Sequence, residues 1–329
     1  ALTVQGGAGA GLSASITGSG GQTINASNIN VTGGGGGTNN FADIRQTSFG
    51  ANQAITVTGG GTLSMQGGLG GTDNFARIRN DGVNQQINVP GGAIVLTGGN
   101  GPDVLPDPLD GANNFARIEN RSLTGVQTVN TGTIMLNGGL TGASNFTGIQ
   151  AAHQVITTTG DVTLQGGPAF NSDSRIGAVA NTSPTDLVLT AGGSVTLNGS
   201  TAAGGTGGTI GANRLGNQPT DIVVTAAGDI TLNPGVGAGA RIGSPEVAVA
   251  GGNISLTSTG GNIALNSAGL GFGTGIHTLG NVTLSATGID KGIIEGADSV
   301  IQANQLTTTS NAGTSLMGRN AVAGFNATN

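Results

Sequence analysis

The chain has no cysteine, tryptophan or tyrosine, and charged residues make up only 8% of its 329 positions. A globular enzyme of this length normally packs many large aromatics around one core and carries about a quarter charged residues. Aromatics here amount to 2%, so that class is disfavoured. Basic residues are few, with Lys+Arg of 10 against Asp+Glu of 16; nothing resembles the basic footprint of a nucleic-acid binder or of a protein that sits on anionic membrane. No apolar run reaches the roughly 18 residues of a spanning helix. Residues 1–20 lack the basic, apolar and small-residue order of a signal peptide, so the chain is expected to be a mature or excised piece. Absence of cysteine also fits a secreted Gram-negative protein that stays unfolded until it crosses an outer membrane.

What the chain has in abundance is glycine, 66 residues, interleaved with short Val/Ile/Leu runs. Disordered chains combine low hydrophobicity with high net charge. Here 36% of residues are hydrophobic and the formal net charge is -6, so the apolar residues are there to be buried in small regular portions.

Those portions repeat. An Asn-Phe-x-x-Ile motif recurs at Asn40/Phe41/Ile44, Asn74/Phe75/Ile78, Asn114/Phe115/Ile118 and Asn145/Phe146/Ile149, with Phe spacings of 34, 40 and 31, then decays to Ile176, Ile210 and Ile242 without the Phe. A second landmark runs "GTLSMQGG", "GAIVLTGG", "GTIMLNGG", "GDVTLQGG" and onward to "GNVTLSAT". Between them lies a third: "QAITVTG", "QQINVPG", "VQTVNTG", "QVITTTG". Alternation has period two, as in Val195/Leu197 and Ile230/Leu232, which is the period of a half-buried strand. Gly, Asn and Thr are poor helix formers, and no window carries an amphipathic helical stripe.

Three short strands per module, each stacked on its counterpart in the next, predict an all-β parallel β-helix. Gly/Asn-rich inserts such as residues 33–40 and 98–114 account for the variable spacing. No rung can bury its apolar face alone, so stability must come from stacked neighbours. Asn40, Asn74, Asn114 and Asn145 are expected to form a ladder with amides bonded up and down the column, and Phe41, Phe75, Phe115 and Phe146 to stack beside it. Near residue 250 the coil shortens, Leu265 and Leu284 being 19 apart. A soft boundary is placed there, between a decorated solenoid over 1–250 and a plainer continuation over 251–329.

Aligned columns place Asp43, Arg77 and Arg117 on one line and Arg45, Arg79 and Glu119 on another. They point outward, opposite in phase to the isoleucines, and are expected to be exposed pairs of little individual strength. Arg77, Arg79, Arg117 and Arg121 form a candidate ligand cluster. A β-helix hydrolase or lyase would need clustered carboxyls on one face, whereas the acids here are scattered at turns, as Asp161, Asp221 and Asp229 are. His153 and His277 lie 124 residues apart and are expected to be exposed and idle. No catalytic residue and no cofactor is expected. "GGNGPDVL" over 98–105 matches one copy of the nonapeptide of calcium-binding β-rolls. Asp103, Asp107 and Asp110 could hold Ca²⁺ with backbone carbonyls, although a Pro-rich solvated loop explains the same residues. The glycine-rich "GGAGAGLSASITG" lacks the strand-then-helix setting of a phosphate loop.

From "GGNISLTSTGGNIALNSAGLG" through "GNVTLSATGIDKGIIEGADSVIQ" to the ending "LTTTSNAGTSLMGRNAVAGFNATN", the chain resembles the repeat region of filamentous-haemagglutinin-type exoproteins of Gram-negative bacteria. The likeness covers about residues 150–329, and the earlier modules by architecture. It implies a right-handed β-helix, export by two-partner secretion through an outer-membrane partner, and a place outside the cell or on its surface. Asn-Pro occurs only at Asn233-Pro234. The Asn-Pro-Asn motifs of that family's secretion domain are therefore missing, and the stretch is expected to be an internal piece without catalytic residues. The leading expectation is a structural, adhesive shaft contacting neighbouring copies, surface glycans or matrix polysaccharide. The alternative is a self-assembling extracellular filament or sheath.

Overall fold

A computed structural model describes residues 1–101, 113–177, 185–211, 219–244, 251–267 and 274–329. All regular structure among them is β-strand, joined into a single 29-stranded sheet. Strands pair in parallel with their counterparts one coil away, so the sheet wraps around a long axis as a three-sided β-helix.

The first face carries the Asn-Phe motif and stacks Ala42–Gln46, Ala76–Asn80, Ala116–Asn120 and Thr147–Gln150. Gln22–Ala26 and Gln53–Val57 begin the second face, and Leu2–Gln5, Ile29–Thr32 and Thr62–Gln66 the third. Not every corner interrupts the strand. Gln85–Thr97 and Val126–Asn137 each run through from the second face to the third, the pair turning where the register shifts between Thr131 and Thr133.

Because strands pair in register, like residues stack on like. One inward column of the first face reads Ile44, Ile78, Ile118, Ile149, Ile176, Ile210, Ile242, Ile276 and Ile301, all fully buried. On the third face Met65, Leu96, Leu136, Leu164, Leu197, Leu232 and Leu265 do the same. β-branched and leucine side chains on a pleated surface fill such columns well, and each strand supplies only a few buried positions. The core therefore exists only through stacking.

The paired glycines that follow the earlier third-face strands, at 33–34, 67–68, 98–99, 138–139 and 166–167, have a steric cause. A Cβ on Gly33 would lie 1.8 Å from the Asn74 carbonyl oxygen, and one on Gly67 1.8 Å from that of Asn114. Only glycine lets the chain pass so close beneath the next corner.

Inside the second face runs a column that the aligned segments contain but that periodicity alone does not single out. Gln22, Gln53, Gln85, Gln127 and Gln154 point inward and are buried. From Gln53 onward each side-chain N–H₂ donates to the Oε1 of the glutamine one coil earlier, at 2.6, 2.6, 2.5 and 2.7 Å. A buried amide must be hydrogen-bonded, and a parallel stack provides its partner at every step. The column turns apolar at Leu187, which follows Gln154 and leaves the Gln154 Oε1 without a partner, and continues with Ile222, Ile254, Val282 and Leu306. Side-chain chemistry thus changes well before residue 250. Across 250 itself the stack is unbroken, with Ile222 opposite Ile254 and Ile230 opposite Ile263.

One charge sits in the leucine column. Glu295 follows Leu265, precedes Leu316 and is 1% exposed. Its Oε2 accepts from the Gly318 N–H at 3.2 Å and the Asn320 Nδ2 at 2.7 Å, while Oε1 has no partner. Burial raises its pKa above the usual carboxylate range, partly offset by those two bonds.

Gln85→Leu should destabilise the protein by about 2–4 kcal/mol in chemical denaturation, because it orphans one amide group above and one below. Gln154→Leu, at the end of the ladder, should cost less than half as much. For Glu295 the folded pKa exceeds the unfolded one. Its stability contribution is then complete below the ordinary value of 4.5 and lost as pH rises through the folded value. Glu295→Gln should flatten that pH dependence and raise the denaturation midpoint at pH 7 relative to the parent.

Candidate functional site on the first face

Each Asn-Phe motif begins with a residue in the left-handed region: Asn39, Asp73, Asn113 and Ser144 have φ of 60°, 58°, 52° and 60°. Asn and Asp tolerate this conformation best among residues with a side chain, which explains the "NN", "DN" and "NN" doublets. The next residue, the motif asparagine, is fully buried. Its Oδ1 accepts the backbone N–H of the asparagine one coil earlier: Asn40 donates to Asn74 at 2.8 Å, Asn74 to Asn114 at 2.8 Å and Asn114 to Asn145 at 3.0 Å.

The expected amide-to-amide ladder is therefore corrected. The side-chain nitrogens bond instead to carbonyls of the glycine-rich inserts: Asn74 Nδ2 to Gly70 and Gly37, Asn114 Nδ2 to Asn100 and Gly71, Asn145 Nδ2 to Thr141. With the Oδ1 occupied by a backbone N–H, the amide N–H₂ has to find a second acceptor, and the inserts supply it. The inserts themselves pair between coils, Thr38 with Thr72, Leu69 with Asn100 and Asn100 with Thr141. The described parts of these loops are continuations of the stack.

Phe41, Phe75, Phe115 and Phe146 point outward and form one column, with ring centroids 4.9, 4.9 and 5.1 Å apart and interplanar angles of 4°, 2° and 17°. Two residues further along the same side come Arg77 after Phe75 and Arg117 after Phe115, with Asp43 in that place after Phe41. The guanidinium carbon of Arg77 lies 4.7 Å from the Phe75 ring centre and that of Arg117 4.6 Å from Phe115. Phe146 has Gly148 in that place, and Arg175 from the following coil covers its ring at 4.1 Å. Such cation–π contacts gain strength when water is excluded.

Acids complete the face. Arg77 binds Asp43 through two parallel bonds of 3.1 and 3.0 Å. Arg45 and Arg79 both grip Asp81, with Nε bonds of 2.7 and 2.6 Å. Arg117 reaches Glu119 at 3.1 Å, while Arg77 and Arg79 stand 3.9 and 3.8 Å from it. The expectation of freely exposed pairs is overturned: the side chains of Arg77, Arg79 and Arg117 are 13%, 14% and 18% exposed, and that of Glu119 2%. Outward direction does not mean exposure here, because the phenylalanine rings and the paired charges of neighbouring coils cover one another. Of the four arginines marked as a candidate cluster, Arg77, Arg79 and Arg117 are brought together by this network, and Arg121 stands exposed beside it.

Burial alone would lower the Arg77 pKa, but Asp43, with Glu119 and Asp81, raises it. Burial also dominates at Arg117, where neighbouring Arg77, Arg175 and Arg121 add to it and Glu119 opposes; the net direction is down. Asp81, which burial would push up, is held below the usual carboxylate range by Arg79 and Arg45. Asp43 and Glu119 thus fix Arg77 and Arg117 over the rings, and Asp81, which the aligned columns do not contain, holds Arg45 and Arg79 beside them.

The corner acids also have a defined task. Asp161 accepts the Ser194 N–H at 2.7 Å, Asp229 that of Asn262 at 2.6 Å and Asp221 that of Asn253 at 2.9 Å. Each ties its coil to the next. His153 is partly open, with Nδ1 3.2 Å from Asp186. His277, expected to be exposed, is buried in the first face, and its ring folds over Gly275, where any Cβ would meet it. Asp103, Asp107 and Asp110 lie outside the described residues. Among the described residues no group of three His, Asp or Glu side chains is placed to hold a metal ion, and no helix is long and apolar enough to cross a membrane.

Glu119→Gln should destabilise the protein by about 2–3 kcal/mol, at or below the lower end of the cost of breaking a buried ion pair, because Arg117 keeps some contact with water. Replacing both, as Arg117→Met with Glu119→Leu, should recover most of that loss in the same denaturation assay. No protein-family model matches this chain, and neither do any curated protein or solved structure.

Proposed function

We propose that the chain is the structural and adhesive shaft of a secreted bacterial surface fibre of the filamentous haemagglutinin type, acting without catalysis or cofactor. The observation that supports this best is the in-register stack itself, which runs from Leu2–Gln5 to Ala321–Thr328. Roughly ten steps of about 4.8 Å give a rod of about 50 Å. Its inter-strand hydrogen bonds lie along the long axis, so pulling on the rod loads many of them together. Stacked inserts and corners give it a defined surface for neighbouring copies and for surface or matrix polysaccharide. In this reading the chain reaches the outside of the cell through an outer-membrane secretion partner, before the stack forms.

Electron microscopy of the purified chain in dilute neutral buffer should show straight rods of about 50 Å. Compact globules would refute the shaft, and long filaments built from end-to-end copies would favour the self-assembling sheath. Beads coated with the folded chain should adhere to polysaccharide or to one another, and beads coated with heat-unfolded chain should not. Equal behaviour of the two would remove the adhesive part of the proposal.

A further inference from the structure

The outward side of the second face differs in kind from the first. Beyond an edge column that carries His153, Asp186 and Asp221, its two remaining outward columns are uncharged from Ala54 and Thr56 to Thr307 and Thr309. In one column Val155, Val188 and Val223 stack in register, 42%, 39% and 38% exposed. Beside it stand Thr157, Thr190, Thr225 and Thr257. Both columns then continue as Ser and Thr.

This makes a net of methyl groups and hydroxyls. Its spacing between rungs is that of paired strands, about 4.8 Å. Along each strand the spacing is about 7 Å, twice the rise per residue. Among the described residues, none of the four threonine hydroxyls is engaged within the protein, whereas inward Thr158 and Ser258 each donate to a backbone carbonyl at 2.7 Å. We infer that this face binds ice: a crystalline water surface whose oxygen rows repeat on the same scale in two directions.

The chemistry separates this occupant from others. A second copy lying dry on the face could pair hydroxyl with hydroxyl only where the two nets coincide, and each hydroxyl left over would cost about 1–3 kcal/mol. A flat polysaccharide would be expected to use aromatic platforms, and this array has none. Ordered water supplies a hydrogen-bond partner to each hydroxyl and a cage around each methyl group. The in-register stack holds both in fixed positions, so little ordering remains to be done on binding.

Inhibition of ice recrystallisation and thermal hysteresis, measured on the whole chain, test the inference. The parent should inhibit crystal growth. Thr190→Lys, and independently Thr225→Tyr, should lower that activity several-fold by breaking the flatness, with circular dichroism and melting midpoint unchanged. Thr196→Lys, on the outward side of the third face, should retain it. A parent without ice activity overturns the inference. So does equal loss in the third-face variant, or second-face variants that alter self-association or cellulose binding instead. None of these outcomes touches the shaft reading, which depends on rod shape and not on what the second face meets.

Discussion

A polar group buried in this stack finds its partner either one coil away, as the ladder amides do, or a few residues off on its own coil, as Asn74 Nδ2 does at Gly70. Backbone amides take the first course by pairing strand to strand, and side chains follow it at the corners and inside the second face. The Asn40 N–H to Asn74 Oδ1 bond and the Gln53 to Gln22 bond are two versions of one solution. Because the step along the axis is fixed, a residue type that solves the problem once solves it again on the next coil. Repetition in the sequence is therefore a consequence of hydrogen-bond satisfaction as much as of core packing.

The ladders end together. Asn145 hands its N–H to Ser172 at 3.4 Å instead of to an asparagine. Phe146 is the last ring of its column and is covered by Arg175, and Gln154 is followed by Leu187. One coil thus separates a segment whose neighbours are locked by amide, ring and ion contacts from one that relies on apolar columns and exposed corner struts such as Asp229 to Asn262. In a quasi-one-dimensional protein, where stability is a sum of nearest-neighbour terms, such a change sets where the rod opens first under stress.

Much of the architecture was legible because strand periodicity and glycine punctuation are local signals. Ile44, Ile78 and Ile118 announce a column, and the regular Asn-Phe spacing announces two more. What stayed hidden depends on neighbours more than thirty residues away. The glutamines stand at a strand start, where they read as polar edge residues although they share the phase of the buried Ile55 and Ile87, and only stacking supplies the partners that let them be buried. Asp43 and Arg77 read as surface charges because alternation reports direction and not depth. Asp81 is invisible as a partner because it lies past the end of the aligned strand, and Glu295 interrupts a leucine column that every preceding coil suggests should continue. The destination of the asparagine Nδ2 groups was likewise unreadable, since Gly70 and Asn100 offer backbone carbonyls that no residue type advertises.

Residue-resolved amide hydrogen exchange is the most direct test that inter-coil satisfaction holds this protein together. The N–H groups of Asn74 and Asn114 lie at corners beside glycine-rich inserts, where an ordinary loop would exchange within seconds. If the side-chain oxygens of the next coil hold them, they should be protected to the same degree as the neighbouring strand amides of Ile78 and Ile118. Exchange at loop rates while those strands remain protected would mean that the corners are solvated and that the asparagine columns do not carry the stack.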